Sequence, residues 1–547
     1  MQIPKTVVLC TDFFDRFMDD NNLWGIALSD APDEEILQHF LRAQLPDDLI
    51  ADFFTFFEAI KAPIAVRSSS LLEDSHYQPF AGIYATYMIP FLDDKYEMLR
   101  MLACAIKSVY ASVYYKDSKA YMTATQNVID QEKMAVILQE VVGQQYGNLY
   151  YPTFSGVLRS LNYYPIGDET AEEGIASLAL GLGKYIVDGG QTLRVSPYHP
   201  NQVLQTSEME TALTETQTRF YALDMSHVGD DFKVDDGFNI QNLRVKQADK
   251  DGSLQYIAST YDPVDQIIRD GIYEGGRKII SFAGVLQHGV FPLPELLQMS
   301  QKLGADEMKR PVEIEFACNL KPTPNPSRTG GGASHTQDES SIPSRSGGVW
   351  GGFYLLQIRP IVDSKQVLEE DLNKIPDADC LLRSHNSLGH GISEDVVDVV
   401  YVKTDDNFTA SNNPQIAMEI EQINRKFLNE GKNYILIGPG RWGSSDYWLG
   451  IPVKWPHISA ARVIVETGLK NYHVDPSQGT HFFQNLTSFG VGYFTINAYT
   501  GDGIFQKEVL DQMPAIEETT FVRHVRFDRP LKVMMDGKKQ EGVVLLP

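Results

Sequence analysis

Apolar and polar positions alternate along the chain with two different periods. Over the first 125 residues, short apolar runs trade places with helical patterns. Ile3 to Cys10 predicts a strand, and a helix is expected from Phe13 to Met18 behind Thr11 and Asp12, both suited to cap it. Residues 33–61 predict amphipathic helices, Ala62 to Val66 a buried strand ending at Arg67, residues 96–128 more helix, and Met134 to Val142 an apolar strand. From Glu208 to about Ser253 the chain turns polar and acidic, and Asp262 to Leu303 reads as helical.

A strand pair is expected at Pro311 to Ala317 and Phe353 to Val362. Between them runs KPTPNPSRTGGGASHTQDESSIPSRSGGVWGG, residues 321–352, too rich in Pro, Gly and Ser to bury a core and therefore predicted as a flexible insertion into a hairpin. Residues 366–379 read as a charged linker. Beyond it, strands are expected near 397–403, 434–438, 451–454, 462–466 and 491–497, with a β-rich tail over 520–546. Strands mixed with helices throughout predict an α/β (α+β) multidomain chain, with a first domain over 1–365 and a smaller α/β domain over 380–547.

Composition narrows the partners. The chain has 547 residues, 47 Lys+Arg against 72 Asp+Glu, and a net charge of −25, so a bulk electrostatic grip on nucleic acid or anionic lipid is not expected. A phosphorylated ligand needs a local site. Cys10, Cys104, Cys318 and Cys380 lie far apart with no CxxC, which excludes a disulfide framework and a zinc ribbon and suits a reducing compartment. No apolar run is long enough to span a bilayer, and the N-terminal charge order is wrong for a signal peptide, so the expected location is cytoplasmic. Nothing in the pattern excludes a homo-oligomer.

Candidate chemistry begins at residues 62–87, APIAVRSSSLLEDSHYQPFAGIYATY. Arg67 leaves a strand beside Ser68, Ser69 and Ser70, with Glu73 and Asp74 following: a guanidinium among hydroxyl and backbone donors suits phosphate. A helix N-cap beside a surface arginine explains the same residues and is the commoner case. The second block is VEIEF, 312–316, and YLLQIRP, 354–360. Glu313 with Glu315, and Gln357 with Arg359, each share a strand face, so pairing would bring together two carboxylates, an amide and a guanidinium. That set suits Mg²⁺ and a polyphosphate; a solvent-facing sheet laced with ion pairs fits equally well.

Together these blocks resemble the nucleotide-binding domain of the phosphoenolpyruvate synthase and pyruvate phosphate dikinase family, an ATP-grasp fold. Val66 to Tyr87 follows the family's VRSS…ED…SFAG pattern, and Glu313 to Phe316 with Leu356 to Pro360 follows its "DIEF…LQxRP" hairpin. AVILQEVV (135–142), SGVLRS (155–160) and GLGKYIVDGG (181–190) resemble the elements between, so the likeness covers about residues 1–365. It implies ATP and Mg²⁺ as cofactors. Arg67, Ser68 and Arg359 would meet phosphates; Glu140 and Val142 would bracket adenine; Ser160 would be a phosphate-side hydroxyl; Glu315 and Gln357, with Glu313, would hold the metal.

The chain departs from the pattern in places. The family's glycine-rich segment with an ATP-contacting lysine has no counterpart before IPKTVVLC, so that segment is expected to be lost or truncated. Lys184 replaces the acidic residue of the family's GLGE element, and Lys119 stands where an arginine is usual. GLGKY also lacks the Ser/Thr of a P-loop.

Two blocks remain. In YILIGPGRWGSSDYWLGIPV, 434–453, a GxGxxG spacing follows a strand but opens no helix, which rules out a Rossmann reading; Arg441, Ser444 and Ser445 make either an anion nest or a tight loop. His481, in QGTHFF after ISAARVIVETG (458–468), loosely resembles the phosphohistidine of the family's swivelling domain, as does SLGHGISEDVVDVVYV (387–402) its opening strand. Most such histidines are structural; as a nucleophile, His481 would carry phosphoryl.

The expectation is an ATP-dependent phosphotransferase passing phosphoryl to a histidine or small molecule. A non-catalytic ATP-sensing module, or a fragment of a longer enzyme, is the alternative. The residues after 380 are too few for the family's pyruvate-binding barrel, which takes about 250 residues.

Overall fold

The computed structural model describes residues 1–70, 72–73, 82–124, 132–162, 165–226, 229, 231–322, 342–343, 349–361, 371–404, 408–444, 446–470, 491–537 and 539–547. It is a mixed α/β structure.

A first sheet of four strands has the order β1 (Thr6–Leu9), β4 (Met134–Glu140), β2 (Ile64–Ser70), β3 (Tyr87–Ile89). β2 runs past Arg67 through the three serines, whose backbone pairs with Val136 to Met134, so Arg67 is a mid-strand residue rather than the strand's last. Against this sheet pack α1 (Thr11–Asp20) and α4 (Lys95–Ser112), while α2 (Asp33–Arg42) and α3 (Asp47–Ala59) pack on α4. In α1, Phe14, Phe17 and Met18 recur at helical spacing and are buried, which is what drives the helix onto the sheet. Its N-cap is Cys10 without a side-chain cap; Thr11 and Asp12, expected to cap, lie within the first turn. Asp94 caps α4 instead, accepting from the N–H groups of Tyr96 (2.8 Å) and Glu97 (3.2 Å).

A second sheet of six strands contains β5 (Phe154–Arg159), β6 (Ile175–Ala179), β7 (Leu193–Val195), β8 (Val312–Pro322), β9 (Ile342–Pro343) and β10 (Val349–Pro360), in the order β9-β10-β8-β5-β6-β7. β8 and β10 pair antiparallel, as the sequence suggested, but the hairpin reaches further: Pro322 opposes Val349, so both arms enter the Pro/Gly/Ser tract. The stretch read as helical from Asp262 to Leu303 first forms a three-stranded sheet from Ala258–Asp262, Ile267–Asp270 and Arg277–Ile280. Only then does it become helix, principally Leu293–Met308.

From residue 380 a ten-stranded sheet takes over, with β11 (His390–Val402), β12 (Tyr434–Pro439), β13 (Ala461–Thr467) and β14 (Gly492–Ile496) parallel at its centre. α5 (Asn413–Glu430) is the crossover between β11 and β12; it buries Ile416, Ile420, Ile423 and Phe427 and stops at Gly431, whose φ of 61° suits a glycine C-cap. One apolar core spans both ends of the chain, running from Phe14, Phe17 and Tyr110 to Ile416, Phe427 and Trp442. Exposed pairs follow it, such as Lys454 with Asp117 at 2.6 Å. No helix among the described residues is long and apolar enough to cross a membrane.

Candidate nucleotide-binding cleft

The first two sheets face each other across a cleft lined by residues of both, among them Ala65 and Gln139 on one side and Val157 and Phe316 on the other. Its charged wall is a reciprocal clasp. Arg67 of β2 donates through Nη2 to Glu315 Oε2 of β8 (3.0 Å) and to the side-chain oxygen of Gln357 of β10, and through Nη1 to Gln139 Oε1 of β4 (3.4 Å). In return, Arg359 of β10 donates to Glu73 Oε1 at 2.9 Å. Each sheet therefore lends one arginine and receives the other's. The side chains of Arg67 and Glu315 are 17% and 20% exposed, those of Arg359 and Glu73 10% and 9%, so both bridges lie at the inner end of the cleft. This is neither a surface arginine beside a cap nor a solvent-facing sheet with cross-strand pairs.

Register explains the placement. Glu315 stands opposite Gln357, and Glu313 opposite Arg359 on one side and Arg159 on the other. Glu315 Oε2 and Gln357 Oε1 converge on a single guanidinium nitrogen. Two hard oxygens already arranged around one positive point fit a Mg²⁺ ion by donor type. Glu313, expected in the same set, instead pairs with Arg159 at 2.5 Å, both buried, behind the cleft wall. Ser160 is also placed elsewhere: its Oγ accepts the Val312 N–H at 2.7 Å, tying β5 to β8 rather than facing the cavity. Among the described residues no cluster of three or more His, Cys, Asp or Glu side chains has a metal-binding arrangement.

Ser68, Glu140 and Val142 line the cleft. Glu140 closes β4, 3.7 Å from the Lys5 ammonium, and with Val141, Val142, Leu182 and Met88 it borders an apolar slot. The opposite lip comes from α6 (Lys184–Val187; Lys116–Ala124 is the short helix after α4) and from Asp236. Lys184 Nζ lies 3.4 Å from Asp188 Oδ1 and 3.3 Å from Asp236 Oδ1. Burial works against the lysine charge, but the two carboxylates outweigh it and raise its pKa, while burial also raises Asp188. Asp236 additionally accepts the Thr86 N–H at 2.9 Å. Sequence reasoning missed Gln139, Asp188 and Asp236. Gln139 had a signal, a lone amide in the apolar run MAVILQE; the aspartates, among many surface acids, had none.

Residues 1–377 match the family described as pyruvate phosphate dikinase, AMP/ATP-binding domain. The chain belongs to that family. The matched residues hold the cleft, and the ten-stranded sheet lies beyond them. A curated relative, the uncharacterized phosphotransferase YvkC of Bacillus subtilis (strain 168), is 27% identical over 192 residues, covering 35% of this chain and 21% of that protein. The chain thus spans about a fifth of the length of the relative it matches.

The remaining motif is not an anion nest. Four successive N–H groups of the 438–446 loop are spent on the protein: Gly440 on Thr467 O (3.1 Å), Arg441 on Leu449 O (3.1 Å), Trp442 on Glu466 Oε1 (2.9 Å) and Gly443 on Ile451 O (2.9 Å). The loop packs on the cleft's lip, where Ser444 Oγ donates to Gly189 O at 3.3 Å. Asp74, Ser445 and His481 lie outside the described residues.

Proposed function

We propose that the chain binds ATP with Mg²⁺ between its first two sheets and transfers phosphoryl to a histidine or small-molecule acceptor. The observation that carries this is the reciprocal clasp, which sets two arginines and a carboxylate–amide oxygen pair at the cleft between the sheets. Arg67 and Arg359 would hold the phosphates, and their charge would stabilise the negative charge that spreads over the transferring group. Glu315 and Gln357 would hold Mg²⁺, which when bound neutralises polyphosphate charge. The slot bordered by Glu140 and Val142 would take adenine, and Ser68 would add a hydroxyl contact. Residues 1–365 would form the nucleotide domain and 380–547 a partner domain in which His481 accepts phosphoryl. In that step an imidazole nitrogen bonds to phosphorus, the bridging P–O bond breaks, and its electron pair leaves on the nucleotide oxygen.

Incubation with β- and γ-labelled ATP, with and without His481→Ala, tests the transfer: acid-labile, base-stable label on the wild type and none on the variant is the expected result. Binding that survives both Arg67→Ala and Arg359→Ala overturns the site. A non-catalytic ATP sensor is the second reading, favoured by the pairing of the arginines with carboxylates. Tight ATP binding with neither ADP nor AMP formed would establish it.

A further inference from the structure

The clasp does not account for the opposite lip. Among the described residues, three cations line the cleft, Arg67, Lys184 and Arg359, against five carboxylates, Glu73, Glu140, Asp188, Asp236 and Glu315. A polyphosphate entering this lining meets an excess of negative charge, so each cation that reaches it matters. The two arginines also join the sheets, which limits how far either can turn away from its glutamate. Lys184 carries no such duty between the sheets. It stands on a single helical turn, and its side chain is 23% exposed.

We propose that Lys184 is a phosphate-reading residue of the cleft, aimed at the nucleotide by Asp188 and Asp236. An ammonium has three donors, and the two carboxylates, at 3.4 and 3.3 Å, account for two. The third is available to a ligand without breaking either contact. Asp188 approaches from the same helix and Asp236 from the segment preceding Ile240–Arg244, so the ammonium is held from two directions in one orientation. Leu182 and Val187, close to it in the chain, line the same cleft. The assignment rests on the ATP reading of the cleft.

A structural latch is the competing role, because Asp236 also accepts the Thr86 N–H and so ties three lining segments together. The two roles differ in which ligands they affect. Affinities of adenosine, AMP and ATP, with Mg²⁺ present, would be measured calorimetrically on the full chain for wild type, Lys184→Met, Lys184→Arg and Asp236→Asn. A phosphate reader loses about tenfold or more for AMP and ATP in Lys184→Met, keeps adenosine within about twofold, and recovers most of the loss in Lys184→Arg. Asp236→Asn keeps one oxygen for the Thr86 N–H but turns an amide donor instead of an acceptor to the Lys184 ammonium, so it should weaken AMP and ATP by about threefold or more and keep adenosine within about twofold. Equal losses for adenosine and ATP in Lys184→Met, or ATP binding that is unchanged or tighter in Asp236→Asn, overturn the proposal. So does unchanged ATP affinity in Lys184→Met when Arg67→Ala abolishes binding; that pattern leaves the cleft reading intact. A wild type that binds none of the three ligands removes the reading and the assignment together.

Discussion

The cleft and the 438–446 loop looked alike as sequence: each offers arginine, serines and glycines just after an apolar strand. Their polar groups have opposite fates. In the cleft, Arg67 and Arg359 reach across to carboxylates on another sheet, and the bridges border open space. In the loop, four consecutive N–H groups are consumed by neighbouring strands, Trp442 Nε1 donates to Val465 O (3.0 Å), and Glu466 is buried beneath them. Residue type therefore does not distinguish a site from a strut. What does is whether the paired groups border a cavity or lie within the packed protein.

The strongest way to break this comparison is to cut the clasp. Arg359→Met leaves Glu73 buried without its guanidinium, and should cost about 3 kcal/mol in denaturant unfolding as well as the stabilisation that ATP confers in thermal melts. Adding Glu73→Gln should restore much of the stability but not the ATP effect. If stability and ATP response return together, the clasp is only a strut.

Glu466 should show the converse behaviour. Burial holds its carboxyl up at about 7, against an ordinary 4.5, while the Tyr493 hydroxyl and the Trp442 N–H oppose the shift. The native state keeps a proton that the unfolded chain releases near pH 4.5. The group's contribution is therefore full below that pH, declines as pH rises towards 7, and is gone above it. Glu466→Gln should remove that decline and gain on the order of 3 kcal/mol over wild type at pH 8, with little gain at pH 4. Its ATP-induced stabilisation should be unchanged, as unfolding curves across pH with and without ATP would show.

A smaller effect is expected where the two regions touch. Gly189 has φ +83°, and a Cβ there would come within 3.1 Å of Ser444 Cα. Gly189→Ala should cost about 1–2 kcal/mol and raise the proteolytic sensitivity of the 438–446 loop. Smallest of all, Lys454→Ala removes an ion pair to Asp117 whose side chains are 69% and 30% exposed, and should change stability by about 0.5 kcal/mol or less, diminishing with salt.

Much of the fold was legible locally. Apolar periodicity marked α1, β2, β4, the β8–β10 hairpin and β11 to β14, because burying a face imposes a period of 3.6 or 2 on the residues that form it; the strand expected at 451–454 is only Gly450–Ile451. It failed at Asp262 to Leu303, where IIRD is mostly exposed and RKII buries two consecutive residues, Ile279 and Ile280, so neither strand alternates cleanly. It also set the end of β2 too early, since Ser68 and Ser70 are buried by the sheet despite their hydroxyls. Within the candidate site, Arg67, Glu315, Gln357 and Arg359 were legible as residue types on common strand faces. Glu313 was indistinguishable from Glu315, two positions away on the same face, until Arg159 of the neighbouring strand claimed it.

By itself the sequence determined the order of elements, the pairing of the two long strands, and the family, since these depend on patterns carried within a few dozen residues. Only the tertiary structure decided which charges meet. Arg67 and Glu315 are 248 residues apart, and Lys184 and Asp236 belong to different segments. The Coulomb energy of a charged side chain depends on distance and burial, and neither exists until the sheets have closed on each other.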